Sequence, residues 1–397
     1  MALFTRALIV ALICMSAACS PAVAPISIAE PYPPPTPAII GNIQHLPTGT
    51  LISLEQMVAG ISGDRLIYIG ETHDNPASHR LQVEVIRALH TRADQPIAVG
   101  MEMFNPKQQP ILDAWIAGKL SEKEFIQQSN WYQTWRIDYG YYRQLLNTLR
   151  ELKIPIVALN ISRLDKIAAM SGDAILPTNI DPYYHQTMLA YFKGHSHGNA
   201  NPDSFIQIQS LWDDTMAQSI VTFLQQANQL NTQMVVLAGD NHIRHGYGIP
   251  RRVFQQLPFG YTIIGNKDLE VDDSKKEQYM DVTLPEVPLP AYHYLVYTRY
   301  EAGPQRQQLG VMLEEKNETV TIKEVIKGTI AEHYNFQAGD IISAIDDTTV
   351  ITPFDVIYAV SQCQTGDSLL LSFLRDGDPL KIAIKFQIIN NEKGPIE

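Results

Sequence analysis

Four short segments place imidazoles and carboxylates at spacings that support chemistry. Gly70-Glu71-Thr72-His73-Asp74 carries an acid and a histidine two residues apart, which in extended chain puts both on one side. Gly239-Asp240-Asn241-His242 repeats the combination, Glu102 follows the apolar run Pro96–Met101, and Asn160 follows Pro155–Leu159. Histidine beside carboxylates suits a borderline metal ion, a general acid–base pair, or a hydrogen-bonding shell around a ligand. Two further stretches hold reactive residue types. Trp131–Tyr142 packs two Trp and four Tyr into twelve residues, which by itself reads as an aromatic helix–helix seam. Gly194-His195-Ser196-His197-Gly198 fits the Gly-x-Ser-x-Gly pattern of a serine-hydrolase elbow, but Gln186–Lys193 before it is helical in pattern and Asn199, Asn201 and Pro202 follow. The elbow needs a strand before and a helix directly after, so Ser196 is not read as a nucleophile. No dinucleotide or phosphate-loop glycine motif is present.

These residues matter only if the chain brings them together. From about Leu51 it alternates β-branched runs with helical patterns. Strands are expected at 65–70, 96–101, 155–159, 234–238 and 261–264, with helices at 78–91, 108–117, 139–152, 182–192 and 204–229 between them. That alternation predicts an α/β domain: a parallel sheet covered by helices on both faces. Ligands of such sheets sit beyond the carboxyl ends of the strands, and each polar segment above directly follows a strand. Convergence at one sheet edge is the expectation.

The chain has 397 residues, with 30 basic against 42 acidic, for a formal charge of −12. From Glu301 onward there are 15 acidic and 8 basic residues. An acidic chain without a basic run excludes nucleic acid as a main partner. Arg6, the apolar run Ala7–Met15 and the small residues after it read as a secretory signal, too short to span a bilayer. Ser16-Ala17-Ala18-Cys19 resembles a bacterial lipobox, with Ser16 where the pattern usually has Leu. The resemblance implies lipidation at Cys19, and Ser20 after it implies the periplasmic side of the outer membrane. The alternative is plain signal cleavage, for instance after Ala24. Only Cys363 remains in the body of the chain, so no intrachain disulfide or paired-cysteine metal motif is available.

Pro31–Pro37 reads as a stiff spacer, and Pro285, Pro288 and Pro290 mark a second connection. The expected organisation is a signal peptide over 1–19, a Pro-rich linker over 20–45, the α/β domain over 46–284, a linker over 285–304 and a small β-rich domain over 305–390. This last part resembles a bacterial PDZ domain, most specifically at Ala338-Gly339-Asp340-Ile341-Ile342. PDZ domains capture the C-terminal peptide of a protein partner by strand addition, and Leu309-Gly310-Val311 falls where the carboxylate-holding loop should be.

Gly70-Glu71-Thr72-His73, Met101–Phe104, Trp212–Ala217 and Gly239–Pro250 together resemble the ChaN-like haem-binding uptake proteins, relatives of the Tiki proteases and erythromycin esterases. The resemblance spans about Gly70 to Gly265 and carries that family's Glu-x-His onto Glu71 and His73, its second acid onto Glu102, its Asp before Met-Ala onto Asp213 and its late His onto His242. It implies haem as ligand and iron acquisition as function. Tyr142, Tyr141 or His195 are the candidate haem ligands, and a homodimer could supply a second face to Tyr-ligated haem. The rival implication is a metal-dependent hydrolase, with His73, Glu102 and His242 around a divalent ion and Glu71 as general base.

Overall fold

The structure is a computed structural model that describes residues 32–35, 37–92, 95–162, 167–168, 171, 180–194, 201–277, 279, 282–303, 307–316 and 318–386. The five predicted strands join three others in an eight-stranded mixed sheet in the order β2-β1-β8-β7-β3-β6-β4-β5. Six are mutually parallel: β3 (Leu66–Glu71), β4 (Ile97–Met101), β5 (Ile156–Ala158), β6 (Gln233–Gly239), β7 (Tyr261–Val271) and β8 (Tyr294–Tyr300). A short antiparallel hairpin, β1 (Ile43–His45) and β2 (Thr50–Ile52), closes the β8 side.

Alternation along the central strands divides the core in two. Ile67 and Ile69 of β3, with Val235 and Leu237 of β6, join a cluster under α2 (Pro76–Arg92), α3 (Gln109–Ile116), α4 (Glu122–Gln128) and α6 (Tyr139–Glu151). Leu66 and Tyr68, with Met234 and Val236, face the opposite cluster under α8 (Pro202–Leu224) and α10 (Ile249–Gln256). Every residue of β3, β4 and β6 is buried, which is why these strands read as unbroken apolar runs. The remaining helices of this domain are α1 (Leu54–Ile61), α5 (Trp131–Thr134), α7 (Pro182–Gly194) and α9 (Asp240–Ile243).

Two differences from the sequence reading concern the edges. The stretch read as a connection, 285–304, supplies β8, and the Pro-rich stretch 20–45 ends in β1. In both places prolines precede the strand, and three residues of β1 are too few to show a period.

The second domain is an antiparallel sheet in the order β14-β13-β11-β10-β9, with β12 beside β11 and its own core. The strands are β9 (Val311–Lys316), β10 (Thr319–Val325), β11 (Ile341–Ile345), β12 (Thr348–Thr349), β13 (Ser368–Arg375) and β14 (Asp378–Lys385), with helices α11 (Ile330–His333) and α12 (Pro353–Ser361). Ala338-Gly339-Asp340 acts as a clamp: Gly339 turns at φ +99° and buried Asp340 accepts two 2.7 Å hydrogen bonds from Arg375. Strand β9 is an edge strand with α12 against it. On the other side of α12, Phe354 and Tyr358 pack on the α/β core, and Asp355 pairs with Lys123 of α4 at 2.7 Å.

Candidate functional site

Register sets the site. Glu71, the last residue of β3, lies beside Gly239, the last of β6, and the Glu102 N–H donates to Leu237 O at 3.1 Å. Three strand ends therefore bring Glu71, Glu102 and His242 to one edge, as their positions after strands implied.

Glu71 is buried and fully engaged. Its Oε1 accepts from Tyr142 OH at 2.6 Å and His73 Nδ1 at 2.8 Å, and its Oε2 accepts from Gln82 Nε2 at 2.6 Å. Burial by itself would raise its pKa, but the neighbouring His79 and His73 and the Tyr142 hydroxyl outweigh it and hold the carboxyl at about 2. Burial likewise opposes charge on His73. The Glu71 hydrogen bond and the charges of Glu102, Glu71 and Asp74 overcome that and lift the imidazole to about 9. Glu71 and His73 thus form an ion pair at neutral pH. The His73 side chain is 35% exposed, and its Nε2 has no hydrogen-bond partner among the described residues.

A second dyad faces the first. Buried His242 donates Nδ1–H to Asp213 at 2.7 Å, and its Nε2 stands 3.6 Å from Glu102 Oε1. Burial disfavours its charge, yet Glu102 and Asp213 together raise its pKa. Glu102 is fixed in turn by the Gly239 N–H, which donates to Oε2 at 2.6 Å. Two glycines permit this close packing, one against the His73 ring and one against the His242 backbone. A Cβ on Gly239 would sit 3.2 Å from His73 Nε2, and one on Gly248 would collide with His242 O at 2.0 Å.

Both dyads border a cavity of about 860 Å³, within the usual range for small-molecule sites. Trp212, Phe205, Tyr191 and Leu284 give it apolar wall, while Arg244 and Lys267 stand among its carboxylates, Arg244 paired with Asp240 at 3.5 Å. Trp135 meets His73 edge-on at 4.8 Å.

Glu71, His73, Glu102 and His242 line this cavity, and Asp213 backs His242. Tyr142 lies beneath it, fully buried, with its hydroxyl given to Glu71. Tyr141 is half-buried and accepts from Lys275 Nζ at 3.4 Å, outside the cavity lining. The aromatic segment forms a seam: Trp131 stacks edge-on with Tyr139 at 5.5 Å and Tyr142 at 5.2 Å, and its Nε1–H donates to Ile137 O. His195, Ser196, His197 and Cys19 lie outside the described residues. Among the described residues no three His, Cys, Asp or Glu side chains converge as a metal-binding group, so the divalent-metal reading finds no donor set among them. The sequence reading missed Gln82, Trp212 and Arg244. Trp212 and Arg244 sat inside the quoted motifs, whereas Gln82 carries no local signal.

In the second domain, Leu309-Gly310-Val311 enters β9 with Gly310 at φ +82°. The N–H groups of Leu309 and Gly310 have no partner among the described residues. No helix among the described residues is long and apolar enough to cross a membrane.

Residues 57–253 match the family described as haem-binding uptake, Tiki superfamily, ChaN, and residues 307–386 match the PDZ domain. The chain is similar to the ChaN protein of Campylobacter jejuni, whose structure is described as showing cofacial haem binding. Identity is 20% and the TM-score 0.53, covering 64% of this chain and 95% of that one, a likeness of fold. Weaker overlaps are with the serine endoprotease from Yersinia pestis (20% identity, TM-score 0.19, 21% of this chain and 29% of that one) and the HtrA3 PDZ domain bound to a phage-derived ligand (19%, 0.18, 20% and 83%). The chain thus spans under a third of that protease, and nothing is argued from these two. No curated protein matches the chain. Residues 57–253 belong to the ChaN-like haem-binding uptake family of the Tiki superfamily, joined in one chain to a PDZ domain.

Proposed function

We propose that the α/β domain binds an iron porphyrin in the cavity between the two dyads, and that the chain handles haem or iron at the bacterial cell envelope. The observation that carries this reading is His73. Its Nδ1 is engaged by Glu71, its Nε2 has no partner among the described residues, and a third of the side chain is exposed at a cavity with aromatic walls. An imidazole that gives one N–H to a carboxylate and turns the other nitrogen outward is the usual form of a metal-ligating histidine. Bound haem would supply iron for that nitrogen to hold, the iron displacing the proton that makes His73 cationic at neutral pH. Arg244 and Lys267 would meet propionates, and Trp212 and Phe205 would cover the ring. Tyr142 acts through Glu71, and Tyr141 stands aside from the cavity.

The PDZ domain would dock the C-terminal peptide of a protein partner on the edge of β9, with the Leu309 and Gly310 N–H groups receiving the carboxylate. Cys19 would carry the lipid that keeps both domains at the membrane.

Haemin titration of the full mature chain, followed by absorbance, tests the first part. A saturable Soret band is expected, lost or strongly shifted in His73→Ala and retained in Tyr141→Phe. No saturable band overturns haem binding. A band indifferent to His73→Ala and abolished by Tyr141→Phe overturns the assignment of His73.

A further inference from the structure

The groove of the PDZ domain carries opposite charge at its two ends. Lys327 is exposed on the loop Ile326–Thr329, which touches the carboxylate-holding turn: Ile326 N–H donates to Gly310 O at 2.9 Å and Thr329 Oγ1 at 3.3 Å. At the far end, β9 finishes in exposed Glu314, Glu315 and Lys316. Val311 and Leu313 pack on the domain core, so by alternation Glu315 shares their face and Glu314 and Lys316 take the other. Glu314 thus has a compensating neighbour on its own face and Glu315 has none on β9. The flanking helix α12 offers no basic residue, and its one acid, Asp355, is held by Lys123 and by the helix cap.

We infer that this groove selects C-terminal peptides bearing a basic residue four positions before the last. The inference rests on the reading that the domain docks peptides. A peptide added antiparallel to β9, with its carboxylate on the Leu309 and Gly310 N–H groups, sets its last residue beside Val311. Its third-last residue then lies beside Leu313 and its fifth-last beside Glu315, all on one face of the added strand. Val311 and Leu313 favour apolar or small side chains at the first two of these positions, and Glu315 favours Lys or Arg at the third. Opposite charges across neighbouring strands give a few-fold preference, and like charges a penalty of similar size.

The test uses the full mature chain and two labelled hexapeptides, Gly-Lys-Ala-Ala-Ala-Leu and Gly-Glu-Ala-Ala-Ala-Leu, followed by fluorescence anisotropy. The lysine peptide is expected to bind about threefold to fivefold more tightly, with the gap shrinking in high salt. Glu315→Gln removes the preference and Glu315→Lys reverses it; both change an exposed side chain, and unchanged thermal unfolding confirms that the domain is intact. Equal affinities for the two peptides overturn the charge selection and leave docking standing. If neither binds, or if amidating the carboxyl terminus costs nothing, the docking reading falls and this inference with it.

Discussion

The cavity edge and the PDZ turn treat their polar groups in opposite ways. Around Glu71 and His242 the polar groups are mostly buried and nearly all paired: Glu71 holds His73 and Asp213 holds His242, Tyr142 and Gln82 hold Glu71, and the Gly239 N–H holds Glu102. At Leu309 and Gly310 the backbone N–H groups have no partner among the described residues. A site of the first kind is finished before its ligand arrives, and its geometry is part of what keeps the domain folded. A site of the second kind stays incomplete until a carboxylate fills it. The difference predicts that damage to the cavity edge costs stability first, and damage to the turn costs binding first.

The largest test is His242→Ala. It leaves Asp213, which is fully buried, without its main partner, and removing one member of a buried pair costs about 3–5 kcal/mol. Denaturant unfolding should show that loss, and a variant as stable as the parent would break the contrast. The next test is pH. The Glu71 carboxyl is held at about 2, below its value in an unfolded chain, so its contribution is present above roughly pH 4–5 and lost as pH falls toward 2. His73 is held at about 9, so the same ion pair contributes below roughly pH 6.5 and fades as pH rises through 9. Glu71→Gln should flatten the acid limb by about 2 kcal/mol between pH 5 and 3, read from unfolding midpoints, with the rest of the difference appearing only as pH falls toward 2. An acid limb as steep as the parent's would mean that other carboxylates carry it. The smallest effect on stability is expected at the turn. Gly310→Ala meets Thr329 Cβ at 2.2 Å and a left-handed φ, and should destabilise by about 1–2 kcal/mol while abolishing peptide capture and leaving the Soret titration unchanged.

Much of this was legible in the sequence because burial on both faces writes itself as apolar runs. Strands β3, β4 and β6 and the polar residues after them could be read directly, and so could the gathering of Glu71, Glu102 and His242. Strand β8 was obscured by the prolines before it, although Tyr294–Tyr300 has strand composition. The direction of Tyr142 was not legible either. In Tyr-Gly-Tyr-Tyr, helical phase decides which hydroxyl points under Glu71 and which toward Lys275, and one residue separates the two. Gln82 holds Glu71 from eleven positions away, a contact that only the packing of α2 on β3 creates.

The seat of α12 on the α/β domain has a practical consequence. One wall of the PDZ groove is also part of a neighbour's surface: Phe354 and Tyr358 rest on the first domain, and Arg143 donates to Gln362 at 3.0 Å. The spacing between that wall and β9 is therefore shared property. A fragment cut near residue 304 would keep the sequence of the groove but lose the backing that sets its width, and would be an unfair stand-in for the whole chain. Substitutions on α4 and α6, far from any ligand, would count among those that shape what the groove accepts.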